Sequence, residues 1–281
     1  MIIKRLYYEN GKNQKINMNE FPIAIEKIDE LLKNQWEIET ESGTEINSAK
    51  IKRISKGASK KKINLQVFAN SENEFKEIID KINDVTEYDI LRGKLGKIWI
   101  NEFYLECLAE TREPKDFDEM FYSTDIEVTL LSTRPFWIKE KEYIFKYSNI
   151  TSTNNKNYPL KYPYRYANGM KIVNVQNDAI DSAHFMLRFY GPAVNPMITI
   201  AGNPYTVHAV VEAGEYIEIN SLKKTVIKKM ITGTEVNLFH YKGKNLFRKI
   251  LPGQHVVQCG NFDFDLTLFE ERSEPRWQSS E

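Results

Sequence analysis

The sequence predicts a mainly β protein in two domains: a β-rich α+β domain with one packed helix over residues 1–139, and an antiparallel β-sandwich over residues 140–281. Three observations predict it. The first is a change of composition near the middle of the 281-residue chain. Residues 1–140 carry 22 basic and 26 acidic residues with three prolines, whereas residues 141–281 carry 17 and 13 with seven prolines. The second is a single strongly periodic helical stretch, which lies in the N-terminal half. The third is the density of turn signals in the C-terminal half, at Gly202, Gly214, Gly233, Gly243, Pro252-Gly253 and Gly260-Asn261, the spacing expected of many short strands. The length suits two domains of about 100–200 residues each.

In the first domain, residues 2–8 read as an opening strand closed by the Asn10-Gly11 turn signal. Residues 21–32 fit two periods. Phe21, Ile25, Ile28 and Leu32 keep helical spacing, while Phe21, Ile23 and Ile25 alternate as in a strand. Residues 36–40 are extended. The basic run Lys50, Lys52, Arg53, Lys56, Lys60, Lys61 and Lys62 surrounds Gly57, and is expected to be a hairpin with its tip there. The helix is predicted over residues 72–82: Ser71 and Glu74 form an S-x-x-E capping box, and Phe75, Ile78, Ile79 and Ile82 make one apolar stripe. Strands follow at 98–106 and 125–131, with residues 113–116 as a loop between them. Pro135, Phe136 and Trp137 close the domain as large anchors.

The second domain is organised around residues 191–220. Residues 197–200 and 205–211 are β-rich runs separated by a Gly202-Asn203 turn signal, and Gly214 turns the chain into the alternating strand 216–220. Residues 225–229, 236–239 and 256–259 are further strands. Residues 262–269 put Phe262, Phe264, Leu266 and Leu268 on one face, with Asp263, Asp265 and Thr267 on the other. Residues 148–158 read as a polar loop.

The composition sets limits on function. Lys+Arg and Asp+Glu are both 39, so no whole-protein field draws the chain to nucleic acid. Residues 193–211 carry no charged side chain, but Asn195, Pro196, Gly202, Asn203, Pro204 and His208 break them into strands, so no membrane span is expected. Residues 1–14 lack the apolar core of a signal peptide. Cys107 and Cys259 read as two buried reduced thiols, one disulfide being the alternative.

Catalytic signatures are missing. His184, His208, His240 and His255 fall in no metal-ligand spacing. Asp263 and Asp265 share a strand face and offer an acid–base pair, against the plainer reading of a solvated strand face. Neither a phosphate-binding glycine loop nor a nucleophile elbow occurs. No enzyme, cofactor or metal site is expected. Tyr158, Tyr162, Tyr164 and Tyr166 recur among prolines and offer a stacking platform for saccharide. This supports an alternative reading as a monomeric β-sandwich module that binds cell-wall saccharide.

The order of these features resembles the distal tail protein (Dit) family of long-tailed, siphovirus-type phages. The resemblance rests on the strand-rich first half with its single amphipathic helix, Arg134-Pro135-Phe136-Trp137, and residues 191–196 and 214–220. It also rests on Phe247 and Leu251-Pro252-Gly253 ahead of a strand. Pro252-Gly253-Gln254-His255 stands where the family pattern has Pro-Gly-x-Asn. The resemblance implies a homo-hexameric ring at the tail tip, formed by residues 1–139 around the DNA exit channel, with DNA only as cargo. Residues 140–281 are implied to form a galectin-like sandwich that projects as a platform. The implied partners are the tail tube protein, a tail-associated fibre or lysin protein, and receptor-binding proteins. The implied location is the virion, with synthesis in the bacterial host cytoplasm. Within that picture Lys50, Lys60, Lys61 and Lys62 are the candidate subunit-contact hairpin, reaching acidic surface such as Glu39, Glu41 and Glu45.

Overall fold

The computed structural model describes residues 3–42, 49–118, 121–147 and 171–276. The tyrosine run and the polar loop at 148–158 lie outside the described residues. The chain divides into two compact units, Met1–Lys139 with Arg272–Glu281, and Glu140–Glu271.

The first unit holds strands β1 (Leu6–Glu9), β2 (Lys15–Asn17), β3 (Asn19–Glu20) and β4 (Ile23–Ile25), then the short helix α1 (Asp29–Leu32). Both periods read in residues 21–32 are therefore used, one after the other. Next come β5 (Glu37–Ser42), β6 (Ala49–Ser55), β7 (Ser59–Phe68), helix α2 (Glu72–Arg92), β8 (Gly96–Ile100), β9 (Phe103–Asp118) and β10 (Ser123–Ser132). Strand β11 (Trp137–Phe145) runs on into the second unit. Every pairing described among the strands of the first unit is antiparallel. Strand β10 lies between β7 and β9, and β7 pairs on its other edge with β4. Strand β9 changes partner along its length: residues 103–107 pair with β8 and residues 108–118 with β10. Strand β8 continues to β1 and β2.

This pairing corrects the loop expected at residues 113–116, which belong to β9. Pro114 faces Ile126 across the ladder. Residues 109–118 have a described partner strand on one side only, and there the missing proline N–H costs no ladder bond.

Helix α2 starts where its cap predicts. Ser71 Oγ accepts the Glu74 N–H at 3.3 Å, while Glu74 reaches back to the Asn70 N–H at 2.8 Å. It runs ten residues further than the apolar stripe predicts, because its buried side continues through Val85 and two polar residues, Thr86 and Asp89. Gly93 ends it at φ +58°, the left-handed conformation that glycine adopts without strain. Ile82 and Val85, each of which stabilises by about 2 kcal/mol when buried, join a core with Leu65, Leu105, Ile126 and Trp137.

Asp89 explains the extension. Its carboxylate accepts the Tyr8 hydroxyl at 2.6 Å and the Gly11 N–H at 2.7 Å, tying α2 to β1 and the turn behind it. Burial first, then the bond to the Asp89 carboxylate, push the Tyr8 phenol well above its ordinary range, so it remains a donor. Gly96 passes so close that a Cβ there would overlap both the Tyr8 hydroxyl and the Asp89 carboxylate.

Lys56 sits over the rings of Trp36 and Phe136, at 5.2 and 4.7 Å, and its buried Nζ has no hydrogen-bond partner among the described residues. Burial, then repulsion from Lys61, lower its ammonium to about 8 from the ordinary 10.5. Between those values the unfolded chain holds more protons than the folded one, so stability rises with pH through that window. Thermal melts from pH 7 to pH 10 are expected to show this rise in the native chain. Lys56→Met should raise the melting temperature at pH 7 and flatten the rise. An unchanged slope would contradict the assignment.

The second unit contains β12 (Lys171–Asn177), β13 (His184–Tyr190), β14 (Ala193–Val194), β15 (Met197–Ile200), β16 (Asn203–Thr206), β17 (Val210–Val211) and β18 (Tyr216–Asn220). It ends with β19 (Thr225–Lys229), β20 (Glu235–Asn237), β21 (Gly253–Cys259) and β22 (Phe264–Arg272). One sheet carries β20-β19-β18-β13-β22 and the other β12-β21-β15-β16. Phe185, Leu187, Phe189, Ile217, Ile219, Phe264 and Leu266 from the first sheet share one core with Ile198, Ile200, Tyr205 and Val257 from the second. It is an antiparallel two-sheet sandwich of the predicted kind. Residues 191–220 supply strands to both sheets.

Three details differ from the sequence reading. The run expected at residues 205–211 is broken: β16 ends at Thr206, and Val210–Val211 form β17, which pairs with β14 apart from the two larger sheets. The β15–β16 loop is Ala201-Gly202, both with positive φ as a two-residue hairpin turn requires, and Asn203 already pairs with Ile200. The strand expected at residues 236–239 stops at Asn237 and passes into a 3₁₀ turn, Phe239–Tyr241. Cys107 and Cys259 are buried thiols in different units.

Candidate functional site

The four lysines read as one hairpin fall on two separate sheets. Lys50 lies on β6, which pairs with β5, while Lys60, Lys61 and Lys62 lie on β7, which pairs with β10 and β4. The predicted hairpin around Gly57 is therefore corrected. Residues 56–58 link two sheets, because Ile63, Leu65 and Val67 of β7 are needed in the core.

The β7 lysines are occupied within the chain. Lys60 pairs with Glu110 at 2.8 Å, and Lys61 donates to the Lys33 carbonyl. Glu127 lies between Lys115 and Lys62 at 2.6 and 2.7 Å, and hydrogen bonds from these two hold its carboxyl down to about 2. Changing Lys60, Lys61 and Lys62 together to Glu is accordingly expected to lower the melting temperature of the chain itself. It sets carboxylates against Glu110, Glu127 and a carbonyl. An unchanged melt would contradict these pairings.

The actual hairpin is β5–β6, a two-stranded sheet on which all but Ser55 are exposed. Its faces differ in chemistry. Ile38 lies opposite Ile54, Thr40 opposite Ile51, and Ser42 opposite Ala49, which gives one apolar face. Glu39 lies opposite Arg53 and Glu41 opposite Lys50 on the other. Ile51 and Ile54 are three apart and would face opposite ways on a regular strand. A register shift between these pairs leaves one extra residue in β6 and brings both to the same side. Ile38, Ile51 and Ile54 are 56, 62 and 57% exposed. The acidic residues that the sequence offered as the neighbour's surface, Glu39 and Glu41, stand on the strand beside Lys50; Glu45 lies outside the described residues.

A second feature of the first unit is a cleft of about 510 Å³ between α2 and the β9–β10 sheet. Phe75, Ile79, Ile90 and Leu91 line it from the helix, and Ala109 and Ile126 from the strands. Leu91 is 79% exposed. Glu77, Asp80, Asp84 and Glu87 are exposed and follow the helix row that ends at Leu91, so an acidic ridge flanks the cleft. Neither the apolar hairpin face nor this ridge was read from the sequence. The alternation of Glu37, Glu39 and Glu41 around Ile38 and Thr40 is the signal that marks the first.

The candidate chemistry of the second unit is spent on structure. Asp265 accepts the Tyr190 hydroxyl at 2.5 Å, and Asp263 accepts the Tyr147 N–H at 2.6 Å, so the two carboxylates have separate partners. His255 bonds the Leu251 carbonyl at 2.7 Å, and His184 lies 3.3 Å from Ser221 Oγ. Among the described residues no three His, Cys, Asp or Glu side chains converge as metal ligands, and no helix is long and apolar enough to cross a membrane.

No protein-family model and no curated protein sequence matches the chain. Solved structures do. The Dit (gp 19.1) protein of phage SPP1, described as a paradigm of hub adsorption apparatus in Gram-positive infecting phages, aligns with a TM-score of 0.55 at 10% identity. That alignment covers 96% of this chain and 100% of that one. A chain of the phage P2 baseplate in its activated conformation with Ca aligns with a TM-score of 0.64 at 14% identity, over 98% of this chain and 100% of that one. The same baseplate with Sr gives 0.63 at 14% identity, over 96% and 99%. From end to end, the chain has the fold of the phage distal tail and baseplate hub proteins.

Proposed function

We propose that the chain is a structural distal tail protein, the baseplate hub of a phage tail, and that it works as a hexameric ring at the tail tip. The ring joins the tail tube protein to the tail-associated fibre or lysin protein and to receptor-binding proteins, and surrounds the channel through which DNA leaves. Residues 1–139 form the ring and residues 140–281 the outward, galectin-like platform. The role is scaffolding, with no catalytic step. The observation that carries this reading is the likeness to hub and baseplate chains over nearly the full length of both partners, at a TM-score of up to 0.64. The exposed β5–β6 hairpin, with Lys50 on it, is the proposed subunit contact. Ring subunits need projecting elements that engage a neighbour by rotation.

Light scattering coupled to size exclusion, with negative-stain imaging of the main peak, tests the reading with and without added tail tube protein. A hexamer's mass and rings with a central hole are expected. A chain that stays monomeric in both conditions and binds cell-wall saccharide would overturn it.

A further inference from the structure

Residues 236–262 contain no aspartate or glutamate, although the chain has 39 of them, and they carry Lys242, Lys244, Arg248 and Lys249. All four lie in one loop, which begins at the 3₁₀ turn Phe239–Tyr241 and is fastened to the outer strand β16 and the residues after it. The Tyr241 carbonyl accepts the His208 N–H at 2.8 Å, and the Gly243 N–H donates to the Thr206 carbonyl at 2.9 Å. The Arg248 carbonyl accepts the Tyr205 hydroxyl at 2.8 Å, and Leu246 is buried. The loop is thus fixed through its backbone, which leaves its charged side chains for another use. Other cations of this unit have their carboxylates: Lys141 has Asp178, Arg188 has Glu218, Lys228 has Glu215 and Lys229 has Glu235. Lys249 has the charge of Asp181 nearby. Lys242, Lys244 and Arg248 form no ion pair with a described residue, and Lys244 and Arg248 are exposed. We propose that this loop binds a phosphodiester-linked polyanion, specifically a polyol-phosphate polymer of the cell wall.

The aromatic side chains of the loop choose among polyanions. Single-stranded nucleic acid is held by free ring faces on which bases stack. Phe239 instead has Phe247 stacked on it at 6.0 Å, the His240 ring edge-on at 6.2 Å and the Lys242 ammonium over it at 5.1 Å. An acidic protein would need an aromatic anchor to bury at the centre of the contact, and these rings are already spent on one another. The formal net charge of zero also supplies no long-range field of the kind that steers nucleic acid. What the loop offers is cations, one of them a guanidinium that grips a phosphate through two parallel bonds, and the hydroxyl of Tyr241, which is 55% exposed. A polyol phosphate matches this: it repeats one negative charge and has neither bases nor apolar side chains. A tail tip meets such a polymer at the cell surface, and in that respect the inference rests on the reading above.

Calorimetric titration of the native chain with soluble poly(glycerol phosphate) tests this, beside single-stranded DNA and polyglutamate of matched charge. Poly(glycerol phosphate) is expected to bind about tenfold more tightly than either, and to weaken as salt is raised. Lys244→Gln/Arg248→Gln is expected to weaken that binding by about tenfold or more. Lys223→Gln/Lys224→Gln, which removes two charges from the turn between β18 and β19, is expected to leave it unchanged. All four side chains are exposed, so circular dichroism melts of both variants should match the native chain. Three results would each overturn the inference: no measurable binding, DNA or polyglutamate bound as tightly, or equal weakening by the two variants. None of them touches the ring reading, which the mass of the assembly decides separately.

Discussion

Asp89→Ala is expected to destabilise the first unit by about 3–5 kcal/mol, a large part of the about 5–15 kcal/mol that holds an ordinary domain together. The carboxylate is fully buried and accepts two hydrogen bonds, from the buried Tyr8 hydroxyl and from the N–H of Gly11 at the surface. Alanine leaves the buried Tyr8 hydroxyl without an acceptor, at about 1–3 kcal/mol, frees the turn at Gly11, and leaves a void between α2 and β1 at about 2 kcal/mol more. Tyr8 is 1% exposed, so water does not replace the lost partner without structural change. The measurement is convenient. Trp36, Trp99 and Trp137 belong to the first unit, and residues 140–271 contain no tryptophan, so tryptophan fluorescence during urea unfolding follows this unit alone. A loss below about 1 kcal/mol would mean that Asp89 is not the tie described.

Gly191→Ala is expected to destabilise the second unit by about 3 kcal/mol, at the upper end for overpacking. A Cβ at this position would overlap the backbone carbonyl of Glu212 and lie 2.8 Å from the Val211 carbonyl oxygen. Backbone cannot swing aside as a lysine side chain does. The Gly191 N–H bonds the Glu215 carbonyl, and β14 pairs with β17 just beyond, so both sides of the contact are fixed. Gly202→Ala is the control. It meets nothing within 4 Å, and only its φ of +76° opposes the change, at about 1 kcal/mol. Thermal unfolding followed by far-ultraviolet circular dichroism separates the two. Equal losses would show that the approach of Gly191 to Glu212 is not the cause.

The features legible in the sequence were those set by neighbouring residues. The start of α2 is written in Ser71 and Glu74, and the sandwich strands in their alternation and turns, from the Phe264 and Leu266 face to the Gly202 turn. The end of α2 was not legible, because its buried side passes from isoleucines to Thr86 and Asp89, and only the distant Tyr8 and Gly11 explain a buried aspartate. The same limit hid the partner change of β9 and the place of Pro114, since register between distant strands is not local information. At the candidate site, lysine density suggested a hairpin at Gly57. Charge density does not reveal pairing, however, and Lys60 and Lys62 find their acids on β9 and β10.

The extra residue in β6 has a consequence for how this hairpin tolerates change. Ile51 and Ile54 share a side only because Lys52 stands unpaired between them. Closing the bulge with every residue kept would set Lys52 opposite Thr40 and Ile51 opposite Glu41, and would divide the isoleucines between the two sides of the ribbon. Removing Lys52 would instead leave Glu39–Arg53 and Thr40–Ile51 as successive pairs of a regular ladder, with the isoleucines still on one side. The shared face therefore depends on register and not on length: this strand should accept the loss of Lys52, whereas a slip in pairing would undo the face without any change in sequence.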